Sequence, residues 1–252
     1  MKKLFIVFAS FFLFIMLRAQ QATSSDSKNS VGSLFNSVKK TVTGGGSGSS
    51  LSTDEIVRGL KEALTLGAQK SSDKLSAVDG FFKDAAVKIL LPEQAQKVEK
   101  TLRNLGMGKM VDDAILSVNR AAEDASKSAA PIFVNAVKKM SIQDAVGILR
   151  GTDTAATHYL KQTTTPDLTK AFKPVIDTSL QKTDATKYWK TVFETYNNLP
   201  TTFKKVDTDL SSYVTQKAMD GIFYYVAIEE KKIRKDPAAQ VTDLLKKVFG
   251  GK

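Results

Sequence analysis

The sequence has no cysteine and one histidine, His158, among its 252 residues. Without a thiol the chain cannot form a disulfide, a thiolate nucleophile or a cysteine metal site. The H-E-x-x-H zinc motif and the G-x-S-x-G serine elbow are missing too, so nothing marks His158 as a zinc ligand or a catalytic base. These absences predict no metal site and no cofactor, and we interpret His158 as a structural or surface residue.

The sequence also lacks the patterns of β-structure. No run alternates apolar and polar residues around an Asn-Gly or Asp-Gly hairpin turn, whereas apolar residues recur at helical spacing through most of the chain. The glycines at 44–46 lie in a flexible Gly/Ser stretch rather than between a strand and a helix, so they do not indicate a phosphate-binding loop. We expect an all-α fold in which about nine or ten helices make a single domain.

The N-terminus has the organisation of a secretory signal peptide over residues 1–19. Lys2 and Lys3 precede an apolar run from Leu4 to Leu17, and Ala19 closes an acceptable cleavage site. We therefore expect an exported protein, periplasmic or secreted, with no transmembrane segment after the signal is cleaved.

The rest of the chain divides into a preamble and a domain. Residues 20–50 are small and polar apart from a short amphipathic helix predicted at 31–42. The Gly/Ser linker at 44–50 separates that helix from the remainder of the chain. A helical domain is predicted over 51–250.

The charge of the chain is strongly positive. The formal net charge is +11, and removing Lys2, Lys3 and Arg18 with the signal peptide lowers it by three to +8. A basic exported protein is attracted to lipid headgroups, to other anionic envelope surfaces and to acidic envelope proteins. Nucleic acid is a poor partner outside the cytoplasm. Positive charge also serves solubility, and that simpler explanation stays open.

Local signals predict where helices begin and end. Ser52 and Glu55 form a capping box. Ser141 and Asp144 have the same spacing, and the aspartate favours a helix start electrostatically even without the full box geometry. A short helix is predicted at 154–162.

Prolines and glycines divide other segments. Thr165 followed by Pro166 predicts the start of a new helix, and Pro174 predicts a kink within it. A further helix, which Gly106 ends, has its apolar stripe at four positions: Ala95, Val98, Leu102 and Leu105.

A helix at about 213–235 is predicted to lie at the centre of the domain. It contains the unbroken apolar run Ile222–Ile228, which requires burial on most sides but is far shorter than the about 20 residues that span a bilayer.

Two carboxylates on this central helix are candidates for burial. Glu229 falls on its apolar face, and Asp220 lies on the opposite face beside Tyr213 and Tyr224, which we expect to be covered. A buried carboxylate costs several kcal/mol unless it is paired. The candidate partners are the tyrosine hydroxyls and three cations: Lys217, Arg120 and Arg234.

A buried network that fixes the helix register is the favoured interpretation of these residues, and the floor of a ligand pocket is the alternative. Asn119, Arg120 and Glu123 form a similar one-turn group on another helix, where most such groups are solvated faces. Glu230 and Arg234 make a favourable pair one turn apart in a charged run that is typical of an exposed helix end.

Several segments, in the same order along the chain, resemble the bacterial family catalogued as domain of unknown function 4197. They are LRNLGMGKMVDD (102–113), NRAAE (119–123), VKKMSIQDAVGILRG (137–151), DTAATHY (153–159), YVTQKAMDGIF (213–223) and EEKKIRKDP (229–237). The resemblance covers about Leu51 to Gly250. It implies an exported, mostly helical bacterial domain without an assigned activity, and it identifies no catalytic residue.

Two functions are the main candidates on the sequence, and a purely structural role in the envelope also remains open. The first is a non-enzymatic binding or envelope-associated module that holds an apolar or amphipathic ligand or meets an anionic lipid surface. The second is a hydrolase or lyase in which Asp220, Glu229 or Glu123 act as acid and base. The second function requires two of these carboxylates to converge in one cleft.

Overall fold

The computed structural model describes residues 51–182, 186–187, 189–190, 194, 197–198, 205 and 209–250. The predicted signal peptide, the preamble helix and the linker lie outside the described residues. Within these ranges the regular structure is helical and no strand occurs.

The α-helices are α1 (Thr53–Ser76), α2 (Gln96–Asn104), α3 (Gly108–Ser126), α4 (Ala129–Lys139), α5 (Ile142–Arg150), α6 (Ala155–Gln181), α7 (Leu210–Lys235) and α8 (Asp243–Phe249). Short 3-10 helices occupy Glu93–Ala95 and Pro237–Ala239. The all-α prediction is confirmed, and the predicted number of nine or ten helices is not. The predicted capping box of Ser52 and Glu55 starts α1. Ser141 and Asp144 form a full capping box at α5, whereas the sequence predicted only that the aspartate would favour a helix start.

The helix α6 is continuous where two helices were predicted, so the expected break before Thr165 is wrong. Pro166 and Pro174 lie inside it on its exposed side. A proline in a helix costs about 3 kcal/mol, while each large apolar side chain that is fully buried contributes about 1.5–3 kcal/mol. One uninterrupted row of buried side chains outweighs the prolines: Leu160, Thr164, Leu168, Phe172, Ile176 and Leu180.

The helix α7 is central to the packing, in agreement with the prediction. It packs against α6, α1, α3 and α8, while α3 also packs against α6 and α1. Its core face is a row four residues apart that includes Val214, Ala218, Ile222 and Val226, each 3% exposed or less. The apolar run Ile222–Ile228 is not buried on every side, because Tyr224 is 46% exposed.

An irregular segment at 77–92, here called the strap, connects α1 to the 3-10 helix before α2. Phe81 of the strap is fully buried against α7 at Gly221. A Cβ atom at Gly221 would lie 2.6 Å from Cε1 of Phe81, so only glycine lets the ring approach the helix this closely. Phe81, Val87 and Ile89 of the strap therefore belong to the core, while Val78 and Leu90 are exposed.

The predicted apolar stripe of α2 is only partly correct. Ala95 is buried, but Leu105 is 70% exposed and no residue within α2 itself is buried. The stripe stays partly exposed because α2 packs mainly on α3 and on the 3-10 helix that precedes α2.

We predict that Gly221→Ala destabilises the protein by about 1–3 kcal/mol, because the added methyl group displaces Phe81 from a filled core. Gly147 in the middle of α5 is the matched control, since a Cβ atom there meets nothing within 4 Å. Gly147→Ala should stabilise the protein by about 0.5–1 kcal/mol through helix propensity. Urea unfolding followed by circular dichroism measures both changes. Equal stability of the two variants would contradict the assigned contact.

Candidate functional site

Glu230 and Arg234 form a buried ion pair near the C-terminus of α7. Their side chains are 4% and 8% exposed, and Arg234 Nη2 lies 2.8 Å from Glu230 Oε1. The pair was predicted from its spacing, but its expected position on an exposed helix end is wrong. It follows the core row of α7, because Glu230 is four residues beyond Val226.

This pair, which we call the α7 clamp, joins the ends of two other helices. Glu230 accepts hydrogen bonds from the amides of Ala156 (3.0 Å) and Thr157 (2.8 Å) and from the Thr157 hydroxyl (2.8 Å). These amides are in the first turn of α6, where helix N–H groups lack internal partners and an anion is favoured. Arg234 donates to the carbonyl of Ile148 (2.9 Å) in the last turns of α5, where a cation is favoured.

A second polar group, on α3, holds the strap. Asn119 is fully buried, and its side chain accepts from the amide of Ile89 (2.8 Å) and donates to the carbonyl of the same residue (2.8 Å). It also donates to the carbonyl of Ile115 (2.7 Å), so all the hydrogen-bonding atoms of the amide are used. Asn119 thus replaces the backbone partners that an irregular buried segment lacks.

Glu123 and Arg120 continue the same group toward the start of the strap. Glu123 is 4% exposed and accepts from the amides of Phe81 and Phe82, both at 3.1 Å. Arg120 donates to Glu123 (2.6 Å) and to Asp79 (2.7 Å). The expectation that this turn of α3 is a solvated face is therefore wrong, because the strap covers it.

The strap is also bonded to α7. The Tyr225 hydroxyl donates to Asp84, and Lys74 Nζ of α1 lies 3.1 Å from the same carboxylate. The Tyr213 hydroxyl donates to the carbonyl of Leu90 (2.8 Å). Burial raises the pKa of Tyr213 from 10.0 to about 12. Tyr225, Asp84 and Lys74 were not predicted from the sequence.

The outer face of α7 is open. Asp220 is exposed and accepts a hydrogen bond from Gln216 (3.0 Å), so the expectation that Asp220 and Tyr224 are covered is wrong. Lys217 Nζ is 5.9 Å from the ring centroid of Tyr213, a long cation–π contact. Asp220 and Tyr224 are open to solvent because the strap and the neighbouring helices cover only the other faces of α7.

The three candidate acid–base carboxylates are each engaged separately. Glu229 is 8% exposed and lies 2.6 Å from Lys232, which is 52% exposed. Glu123 is paired with Arg120, and Asp220 is bonded to a glutamine. Within the described residues, no hydrogen bond or ion pair links these carboxylates to one another, and no acidic or histidine cluster is suited to hold a metal.

A small apolar cavity lies where α1, α7 and α8 meet. Its volume is about 20 Å³, room for roughly one water molecule. Apolar residues of α1 and α7 line it together with Phe249, and the α7 clamp lies at its edge. An acyl chain does not fit in a space of this size.

Five positive side chains lie on neighbouring parts of three helices, where Arg58 and Lys247 both act on Glu55 and Lys61 contacts the end of α4. This basic cluster consists of Arg58 and Lys61 on α1, Lys138 and Lys139 on α4, and Lys247 on α8. Lys61 Nζ donates to the carbonyl of Lys138 (3.2 Å), which ties α1 to the end of α4. Hydrogen bonds from Ser52 lower the pKa of Glu55, and the nearby charges of Lys247 and Arg58 lower it further.

The positive charges of the basic cluster are not held in ion pairs. None of the five is within ion-pair distance of a carboxylate in the described part of the chain. Four are exposed and Lys61 is half-buried. No helix in that part is long and apolar enough to cross a membrane.

A family model described as "Protein of unknown function (DUF4197)" covers residues 50–250, which confirms the resemblance seen in the sequence segments. No curated protein and no solved structure matches the chain.

We predict that Glu230→Gln destabilises the protein by about 3–5 kcal/mol, because it leaves the buried Arg234 without its anion. Glu229→Gln is the matched control on the neighbouring residue, with an exposed lysine as its partner, and it should cost about 1 kcal/mol or less. The free energy of unfolding in urea measures both. Combining Glu230→Gln with Arg234→Met should cost less than the sum of the single changes. Additive losses would show that the two side chains do not act as a pair.

We predict that Tyr213 is protonated in the folded protein at pH values where free tyrosine has ionised. Ultraviolet titration of phenolates should show a component near pH 12 that Tyr213→Phe removes. Because the folded pKa exceeds the unfolded one, this group contributes stability below pH 10, and the contribution is lost as the pH rises from 10 to about 12. In denaturant the component should return to the ordinary range. Its persistence in Tyr213→Phe would assign it to another residue.

Proposed function

The chain belongs to the DUF4197 family, and we propose that it is an exported, non-enzymatic module that associates with the anionic lipid surface of the cell envelope. Export rests on the signal-peptide pattern of residues 1–19. The basic cluster is the observation that carries the proposal, because its residues make no ion pair among the described residues and four of the five are exposed.

The cluster has enough charge to select an anionic surface. Each Lys or Arg near an anionic leaflet contributes about 1 kcal/mol. Five such residues are present, and Asp54, Glu55 and Glu62 on the same part of α1 offset three of them. A net of two charges corresponds to roughly 2 kcal/mol, or about a thirtyfold preference for anionic over neutral lipid.

The fold supports a surface for this role rather than an interior pocket. The cavity near the α7 clamp holds about one water molecule, so it offers no volume for an amphipathic ligand. The basic cluster, in contrast, is held by helices whose packing fixes their backbones. Gly59 of α1 touches Val248 of α8, next to Lys247, and Lys61 bonds the end of α4. The charges are therefore brought together before any lipid is met.

The alternative function, a carboxylate-dependent hydrolase or lyase, has weaker support. It requires two carboxylates free to exchange protons with a substrate. Glu123 is bonded to two backbone amides and Arg120, and Glu229 is paired with Lys232. A carboxylate whose oxygens are already bonded to the protein is poorly placed to exchange a proton with a substrate.

We predict that the full chain binds vesicles that contain phosphatidylglycerol and binds pure phosphatidylcholine vesicles far more weakly. Lys138→Gln combined with Lys139→Gln should lower binding to the anionic vesicles roughly thirtyfold, at about 1 kcal/mol per charge. Vesicle flotation at low and high salt measures the affinity, and salt should reduce it.

The control variant also loses two lysines, so its net charge equals that of the Lys138→Gln, Lys139→Gln variant. Both of its lysines lie outside the basic cluster. Lys170→Gln with Lys182→Gln removes an exposed lysine from α6 and another from its C-cap, neither of them ion-paired within the described residues. This control should bind nearly as well as the unaltered chain. Equal losses in the two double variants would show that total charge, not the basic cluster, governs binding. Absence of binding to anionic vesicles would overturn the proposed function.

A further inference from the structure

The helix α2 and the start of α3 form a hairpin that extends from the core. No residue of α2 is buried, and α2 packs mainly on α3. Exposure of the apolar residues increases toward the turn. Val111 of α3 is 4% exposed, Leu102 of α2 is half-buried, and Leu105 and Met107 at the turn are 70% and 42% exposed. The apolar stripe that begins in the core thus continues into solvent.

The turn has a fixed backbone. Gly106 has φ of 77°, and its amide donates to the carbonyl of Arg103 (3.1 Å), while the amide of Met107 donates to the carbonyl of Leu102 (2.9 Å). This is the Schellman arrangement that ends a helix with a glycine in the left-handed region. A Cβ atom on Gly106 would meet nothing within 4 Å, so the turn faces open space. The hydrogen-bonded turn therefore fixes the backbone at Leu105 and Met107 in a position that exposes both side chains.

Ion pairs brace the hairpin next to the turn. Arg103 of α2 lies 2.9 Å from Glu99 and 2.8 Å from Asp112 of α3, so it crosslinks the two helices. Lys109 lies 2.6 Å from Asp113. Every carboxylate in α2 and the first two turns of α3 is used in these pairs.

Two cations of α2 are left over. Lys97 and Lys100 are exposed and make no ion pair among the described residues. Because Arg103 serves two carboxylates, α2 and the first two turns of α3 carry four cations against three carboxylates, and the excess positive charge lies within two to three turns of the apolar tip. An apolar wedge next to unpaired cations is the combination that binds the boundary between lipid headgroups and acyl chains.

We propose that the tip formed by Leu105 and Met107 inserts into the headgroup–acyl boundary of an anionic phospholipid bilayer, with Lys97 and Lys100 meeting the lipid phosphates. This inference rests on the proposed function and names the element that enters the lipid. A basic surface alone binds a membrane reversibly and is weakened by salt, so an inserted apolar tip supplies the second attachment that stable binding requires.

A second copy of the chain is a less suitable partner for this tip. Stable protein interfaces bury about 800 Å² on each side, from roughly 20–30 residues. Two exposed apolar side chains on a narrow turn supply a small fraction of that area, whereas partial insertion into lipid requires only a few apolar groups.

The experiment compares Leu105 with an equally exposed apolar residue far from the tip. Val78 is 79% exposed and adjoins Asp79, which is bonded to Arg120. Arg120 is roughly 18 Å along α3 from Gly108 at about 1.5 Å per residue, so Val78 tests general surface hydrophobicity. Leu105→Gln should lower binding of the full chain to phosphatidylglycerol vesicles roughly tenfold or more, and Val78→Gln should leave it unchanged.

Insertion itself is measured with tryptophan and brominated lipid. In Leu105→Trp the new indole should be quenched by bromine on the acyl chains, whereas in Val78→Trp it should not. Trp189 is 4% exposed and contributes the same background to both variants. Thermal unfolding checks that each variant folds.

The outcomes separate this inference from the proposed function. If the unaltered chain does not bind anionic vesicles, the proposed function fails and the insertion fails with it. If the chain binds but Leu105→Gln binds equally well and Leu105→Trp is not quenched, the insertion alone is wrong. If sedimentation shows a dimer that Leu105→Gln dissociates while the tryptophan remains unquenched, the tip is a self-association surface and the insertion is overturned.

Discussion

The ion pair of Glu230 and Arg234 is the constraint on which the arrangement of the helices depends. A buried carboxylate is costly unless its oxygens are satisfied, and here α6 supplies three donors and α7 supplies the cation. The guanidinium is in turn positioned by the carbonyl of Ile148 in α5. The end of one helix and the start of the next are thereby placed on α7 at a single point. Sliding α7 by one turn would leave both charges buried without partners.

The strap repeats this solution farther along α7. A buried irregular segment needs partners for its backbone, and Asn119 and Glu123 of α3 provide them. Phe81 then fills the space that Gly221 leaves on α7. The side chains of Asn119 and Glu123 bond the backbone of the strap and so hold it on α3. They are therefore buried without forming a cleft.

The spacing of residues along a helix predicted which of them are buried better than their chemical type did. The row Val214, Ala218, Ile222 and Val226 continues at the same spacing to Glu230 and Arg234, so the burial of the clamp was readable from the sequence. The charged character of that run indicated exposure instead, and that interpretation failed. The prolines of α6 likewise indicated a break that its continuous buried row overrides. The strap could not be foreseen, because the contacts that hold it on α3 join residues at least 30 positions apart.

Some cations of this protein stabilise the fold and others do not, and this difference bears on function. Arg120, Arg234 and Lys74 each neutralise a buried or partly buried carboxylate, which would lose its cation if they were removed. Removal of Lys138, Lys139 or Lys247 would leave no carboxylate of the described residues unpaired, so folding does not require the charge at these positions. Like charges that gather without stabilising the fold raise its electrostatic energy, and an anionic surface relieves that repulsion. The same reasoning applies to Lys97 and Lys100 beside an apolar tip. Residues whose charge the fold does not need are therefore the ones that we propose meet the lipid surface.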